Sequence, residues 1–307
     1  MRQPGRGWTG VASAAVLAWV VLGAAWGADA QTTAVANPPV VDAGFGRGVT
    51  IRTADEQMSL NIRGRVQVRN TMADTEDDGR IGTSEFLVRR MRLLFQGNAM
   101  GPKLTYYFQL SFANLDNESD LRLPLRDAYV TWAPARDVNL RMGQMKVPFA
   151  RQRVVSSSAL QMVDRSIVTS ELNLDRDVGV QALSEDLLGL GGRLAYNVGL
   201  FHGDGRNRLA TAPGVLVVGR FVVRPFGGFE DTTEVDFERA DHPRLALAVG
   251  AAHNANTNRP RSTLDAPYAF ARFDYTHATA DLVFKYRGLS LQSELIYRRA
   301  SRPFVDE

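Results

Sequence analysis

The chain has 307 residues, no cysteine, and 36 basic against 33 acidic side chains, a formal charge of +3 with histidine neutral. So small an imbalance gives no field of the kind that draws nucleic acid, and none is expected as a partner. The absence of cysteine excludes a disulfide-stapled secreted domain.

Residues 1–30 read as a secretory signal. Arg2 and Arg6 form a positive start, Val11–Trp26 an apolar stretch, and Ala28-Asp29-Ala30 a small-residue cleavage site. The apolar stretch is short for a retained anchor. Removing this segment takes away two arginines and one aspartate, so the mature charge is +2. Past residue 30 no apolar run reaches helical spanning length, and any membrane crossing must be made by strands.

Residues 31–57 are polar, carry Pro and Gly, and show no period; they read as a periplasmic lead-in. Alternation begins at Met58–Met72, with Leu60, Ile62, Val66 and Val68 on one face and Asn61, Arg63, Arg65, Gln67 and Arg69 on the other. Near Ser84–Asn98, Met91, Leu93 and Phe95 point outward and Arg90, Arg92 and Gln96 inward. On that count Arg89 shares the face of Met91 and belongs at a membrane rim. Leu104–Ala113 alternates most cleanly, and Leu125–Trp132 follows. Val138–Val147 loses its rhythm after Met142, which leaves the directions of Gln144 and Lys146 open.

Further strands are expected near Asp177–Leu183, Gly192–His202, Val215–Arg224, Leu245–His253, Thr276–Arg287 and Leu289–Arg299, about eleven in all. If the chain enters from the periplasm, the long connections 73–83, 114–124, 148–176, 203–214 and 254–275 face outside. The shorter ones, among them the tight Arg287-Gly288 turn, face the periplasm; only 225–244 is out of character. The expected fold is therefore all-β, an antiparallel transmembrane β-barrel of the bacterial outer membrane over residues 58–307. An odd strand count cannot close such a barrel and the chain ends at Glu307 without a terminal aromatic. The expectation is thus a barrel lacking its C-terminal part, unless a twelfth strand closes it.

Arg63, Arg65 and Arg69 on the first strand, with Arg90 and Arg92 on the second, are the candidate anion-binding lining. Side chains two residues apart share a face and rise about 6–7 Å per step, and a guanidinium matches phosphate in a bidentate way. The plain alternative is a charge-balanced lumen, since Glu85, Asp127 and Glu294 stand opposite. Asp74–Gly79 with Glu85 nearly fits a calcium-binding EF-hand loop, but its flanks read as strands; an acidic hairpin loop is the default and no metal is assigned. Tyr106, Tyr107, Tyr129, Trp132 and Phe149 fall near strand ends, as interface anchors or as packing residues.

Several motifs, in order and spacing, resemble the phosphate-selective porin O and P family between about residues 58 and 300. They are Arg89-Arg90-Met91-Arg92, Asp127-Ala128-Tyr129-Val130, Leu140–Phe149, Asp164-Arg165-Ser166, Asp177-Val178-Gly179-Val180, Gly203-Asp204-Gly205-Arg206-Asn207, and Asp281-Leu282 followed by Gly288 and Glu294. The resemblance implies a sixteen-stranded porin, usually trimeric, whose partners are outer-membrane lipid and small anions such as phosphate or polyphosphate. It also implies that residues 148–176 fold inward as a constriction, carrying Arg151, Arg153, Arg165 and Arg176 against Asp164, Glu171 and Asp175.

No cofactor is implied. An enzyme is not expected, since no nucleophile and base converge: Ser156-Ser157-Ser158 reads as loop filler and His202, His242, His253 and His277 are scattered. The other readings are a general, non-selective porin and a structural barrel without transport.

Overall fold

Among the described residues thirteen strands run in chain order through one antiparallel sheet, each pairing only with its neighbours in sequence. They are β1 (Val40–Gly44), β2 (Gly48–Arg52), β3 (Ser59–Ala73), β4 (Thr83–Asn98), β5 (Leu104–Ser111), β6 (Leu125–Ala135), β7 (Val138–Lys146), β8 (Arg176–Ser184), β9 (Leu194–Phe201), β10 (Val215–Val223), β11 (Arg244–Thr257), β12 (Phe273–Tyr286) and β13 (Leu289–Ala300). Among the described residues no ladder joins β13 to β1. The computed structural model describes residues 38–73, 82–117, 123–208 and 214–301. The expected signal at 1–30, most of the acidic loop 74–85 and the chain end at 304–307 lie outside the described residues.

Two strands more than expected come from the stretch read as an aperiodic lead-in. β1 and β2 are five residues each, and β2 pairs with the start of β3 from Val49↔Ile62 to Arg52↔Ser59. Glycines at 44, 46 and 48 interrupt any alternation there. These strands form because β3 offers a free edge, which local propensity does not report.

Alternation divides the sheet into an apolar outer face and a mixed inner one. On β3, Val66 and Val68 are exposed, while Arg63, Arg65 and Arg69 are half-buried on the other side. The same division runs through β12, where residues alternate between buried and exposed from Phe273 to Ala280. Arg287 and Gly288 both have positive φ, the geometry of a two-residue hairpin turn that matches strand twist.

Irregularities in the ladders decide which side chains face inward, two of them at positions where the plain alternation fails. The ladder between β3 and β4 passes from Gln67↔Arg90 to Val68↔Val88, leaving Arg89 as the extra residue of a β-bulge. The bulge turns Arg89 inward beside Arg90, so the rim position expected for Arg89 is wrong. Simple parity cannot register an inserted residue. Met91 on one side of the bulge, and Val88 and Phe86 on the other, all remain exposed on the outer face. On β7, Gly143 has φ +131°, and a Cβ there would sit 2.2 Å from the Ala128 carbonyl oxygen. The swivel at this glycine ends the alternation. Gln144 and Met145 are both buried, and Lys146 Nζ donates to the Val154 carbonyl at 2.8 Å.

The segment 147–175 enters the inner face between β7 and β8 and contains two short helices, α1 (Arg151–Val154) and α2 (Ile167–Leu172). Helices of four and six residues do not stand alone. Ser166 caps the start of α2, its Oγ accepting from Thr169 N at 3.2 Å. The entry is apolar: Val147, Phe149 and Ala150 are fully buried against Phe201, Leu216, Val218, Ala252 and Ile296. Each large side chain so buried stabilises the seat by about 1.5–3 kcal/mol. From the opposite end of the sheet, the connection between β10 and β11 also turns inward. Arg151 Nη1 donates to the Asp231 carbonyl at 2.8 Å, and Lys285 Nζ to the Glu230 carbonyl at 2.9 Å.

Phe149→Ala removes the largest apolar anchor of the inserted segment, at a cost of about 3–5 kcal/mol. The expected result is trypsin cleavage at Arg151 and Arg153 in folded, detergent-held protein while the strands stay protected; cleavage as slow as in the unaltered chain would show that the apolar pad does not seat the segment.

Candidate functional site

Guanidinium groups from β3 and β4 converge on the inserted segment. Arg65 Nη2 and Arg92 Nη1 both donate to Ser157 Oγ, at 2.6 and 2.7 Å. Arg92 also chelates Asp116 through Nε and Nη2 at 2.7 and 2.9 Å. Further along, Asp164 is held by three arginines: Arg69 Nη1 at 2.6 Å, Arg89 Nε at 2.9 Å and Arg90 Nη2 at 3.0 Å. Arg90 is fixed additionally by Gln67 Oε1 at 2.8 Å and the Val163 carbonyl at 2.9 Å. Arg63 lies on the same face of β3 but outside this cluster of bonds.

Behind Ser157 lies a cavity of about 90 Å³ lined by Arg92, Arg126, Lys146, Arg165 and Arg176, with Asp127 as its one carboxylate and Tyr107, Gln109, Ser156 and Ser157 as neutral polar groups. Asp127 is chelated by Arg176 at 2.9 and 3.0 Å. Asp116 bonds Arg92 and lies 3.8 Å from Arg126, and Asp175 bonds Arg153 and Arg176. These acids offset part of the positive charge, yet the cations remain in excess. Burial, and then the like charges of Arg153 and Arg176, push the Arg165 guanidinium down to about 8. An anion beside it would relieve that strain.

The opposite wall is balanced. Arg151 bonds Asp281 and Asp231, and its N–H bonds Glu294. Arg220 bonds Asp281 at 2.6 Å and the Phe149 carbonyl at 2.7 Å, and Arg224 bonds Asp231 at 3.0 Å. A buried cation with carboxylate and carbonyl partners serves as an anchor. The inserted segment is thus pinned to β12 and β13 on one side and presented to a surplus of cations on the other.

Of the residues marked in the sequence, Arg65, Arg69, Arg90 and Arg92 meet at the segment. Arg165 also lines the cavity and donates to the carbonyls of Gln152 and Val155. Arg176, expected in the loop, is the first residue of β8. Arg151 and Arg153 are engaged elsewhere, Arg153 with Asp175 at 2.7 Å. Sequence reasoning missed Arg126, Lys146, Tyr107, Gln109 and Ser157. Lys146 lies inside the Leu140–Phe149 motif, but its direction is set by the conformation of Gly143; Ser157 sits in a serine run that reads as loop filler.

Among the described residues no group of three His, Asp or Glu side chains could hold a metal ion, and no helix is long and apolar enough to cross a membrane. The family model described as phosphate-selective porin O and P matches residues 60–303. Comparison with curated proteins finds no matching relative.

The carboxylates that tie down the segment titrate low. At Asp164 burial opposes ionisation, but Arg89, Arg69 and Arg90 outweigh it and hold the carboxyl below its ordinary range. At Asp175 burial is likewise overcome by Arg153 and Arg176, which hold it well below. A folded pKa below the unfolded value means that the stabilisation is complete above about pH 4 and is lost as pH falls through the folded values. Open-channel current noise is therefore expected to stay flat from neutral pH down to about 4 and to rise below it. Asp164→Asn should bring raised noise to neutral pH; a rise that begins between about pH 7 and 5 would assign the transition to histidine instead.

Proposed function

The chain belongs to the phosphate-selective porin O and P family, and on that premise we propose that it conducts small oxyanions, phosphate first among them, past the cavity behind Ser157. Family membership makes it a β-barrel porin of the bacterial outer membrane. The finer reading rests on one observation: Arg92, Arg126, Lys146, Arg165 and Arg176 share a small cavity with a single carboxylate that is already chelated. Guanidinium forks and the Ser157 hydroxyl match the oxygens of a tetrahedral anion. Arg65, Arg69 and Arg90 extend the positive wall along β3 and β4, so an ion could pass between sites without any one of them trapping it. Arg63 belongs to the same proposed lining. Homotrimeric assembly and export through a cleaved segment 1–30 complete the proposal; both come from the family resemblance and the sequence pattern.

A non-selective porin is the reading favoured by the balanced wall of Arg151, Arg220 and Arg224 with Asp231 and Asp281. Reversal potentials across planar bilayers in a potassium chloride gradient separate the two. Anion preference is expected for the unaltered chain. Inorganic phosphate should block the chloride current, and Arg92→Ala or Lys146→Gln should weaken that block by about tenfold, the loss expected for one charge-assisted hydrogen bond. Cation preference would remove the anion-conducting reading, and unchanged selectivity in both variants would favour the general porin.

A further inference from the structure

The connection between β10 and β11 reaches the inserted segment on the stretch that edges the anion pocket, through residues that do not line the pocket themselves. Glu234 makes each of its contacts with a purpose legible in the geometry. Its N–H donates to the Ala159 carbonyl at 3.0 Å. Its carboxylate accepts from Gln161 N at 2.6 Å through Oε2 and from Gln152 Nε2 at 3.2 Å through Oε1. Its carbonyl accepts from Ser290 Oγ at 2.6 Å, which fastens it to β13. Residues on either side are fastened to the β12–β13 hairpin as well: Lys285 Nζ donates to Thr233 Oγ1 at 2.5 Å, and Gly288 N to an Asp236 carboxylate oxygen at 2.8 Å.

These contacts bracket residues 152–161, the stretch that carries Ser156 and Ser157 into the pocket. Apart from the α1 turn this stretch belongs to no ladder. On the pocket side it is held through Ser157 by Arg65 and Arg92, the groups that an arriving anion would engage. We propose that Glu234 is a positioning residue for anion passage: through Gln152, Ala159 and Gln161 it fixes the Ser156–Ser157 edge of the pocket from the opposite connection. The inference rests on the pocket reading given above. It assigns a role to a segment that a short periplasmic turn would not fill, since such turns in barrels are normally brief.

The chain has no cysteine, so an engineered pair reports cleanly. Half-block of the chloride current by inorganic phosphate is the readout, with single-channel chloride conductance alongside it. Glu234→Ala removes the two carboxylate hydrogen bonds and keeps the backbone bond to Ala159; because the pocket feels the loss only at second hand, the half-blocking concentration should rise about two- to tenfold, what one directly lost hydrogen bond would cost, with a smaller change in conductance. Glu234→Gln keeps an acceptor for one of the two neutral donors and should fall between. The double variant Ala159→Cys, Glu234→Cys should resemble Glu234→Ala when reduced, and regain unaltered block once oxidised in the membrane-inserted protein. An unaltered block in Glu234→Ala, or a cysteine pair that fails to join, would overturn the positioning role. Absence of any phosphate block in the unaltered chain, with the pair still joining, would overturn the pocket reading and the role that depends on it while leaving the contact between the two connections standing.

Discussion

A stretch of chain driven into the inner face of a sheet must find partners there for its own polar groups, because buried backbone left unpaired is costly. Residues 147–175 meet that constraint in two different ways, and the rest of the structure follows from the difference. Entry is apolar, through Val147, Phe149 and Ala150. Beyond it the segment is held by charge, with Arg151 among acidic partners on β12, β13 and the 225–243 connection and Asp164 among the arginines of β3 and β4. A carboxylate offered to arginines and an arginine offered to carboxylates make the segment a strut whose two ends have opposite sign.

That polarity explains why positive charge accumulates on one side of the segment. On the β10–β13 side Arg151, Arg220 and Arg224 each have a carboxylate within hydrogen-bond reach. On the β3–β6 side several guanidinia share the same few acids: Asp164 serves three, and Asp116 serves Arg92 while lying within 4 Å of Arg89, Arg90 and Arg126. Sharing leaves donors uncommitted, among them Nε of Arg69, Arg90 and Arg126, and it is on such donors in a confined space that the proposed anion passage rests.

Much of this was legible in the sequence because period-2 alternation survives any detail of packing. β3, β5, β12 and β13 fall where the pattern puts them, and the Arg287-Gly288 turn announces its own geometry. What was hidden has specific causes. β1 and β2 exist only as partners for an edge. Lys146 and Gln144 take their directions from a glycine conformation that composition does not encode. Ser157 owes its place to contacts across tens of residues in sequence, its bonds to Arg65 and Arg92, and Arg126 is the residue skipped where the β5–β6 ladder shifts between Asp127 and Leu125. The connection 225–244 is out of character as a periplasmic turn, and its length is accounted for by the contacts it makes with the inserted segment.

The bulge at Arg89 has a further consequence for how this wall tolerates change. It acts as a phase shifter: Thr83–Val88 and Met91–Asn98 are both in step with the bilayer only because the bulge takes one surplus residue out of the alternation. Drawing Arg89 back into a regular ladder would rotate the outer half of β4 by half a turn, driving Phe86 and Val88 toward water and Leu87 toward lipid. Deleting Arg89 outright would leave Val88 beside Arg90 with both halves still in step, and would cost Asp164 one of its three arginines.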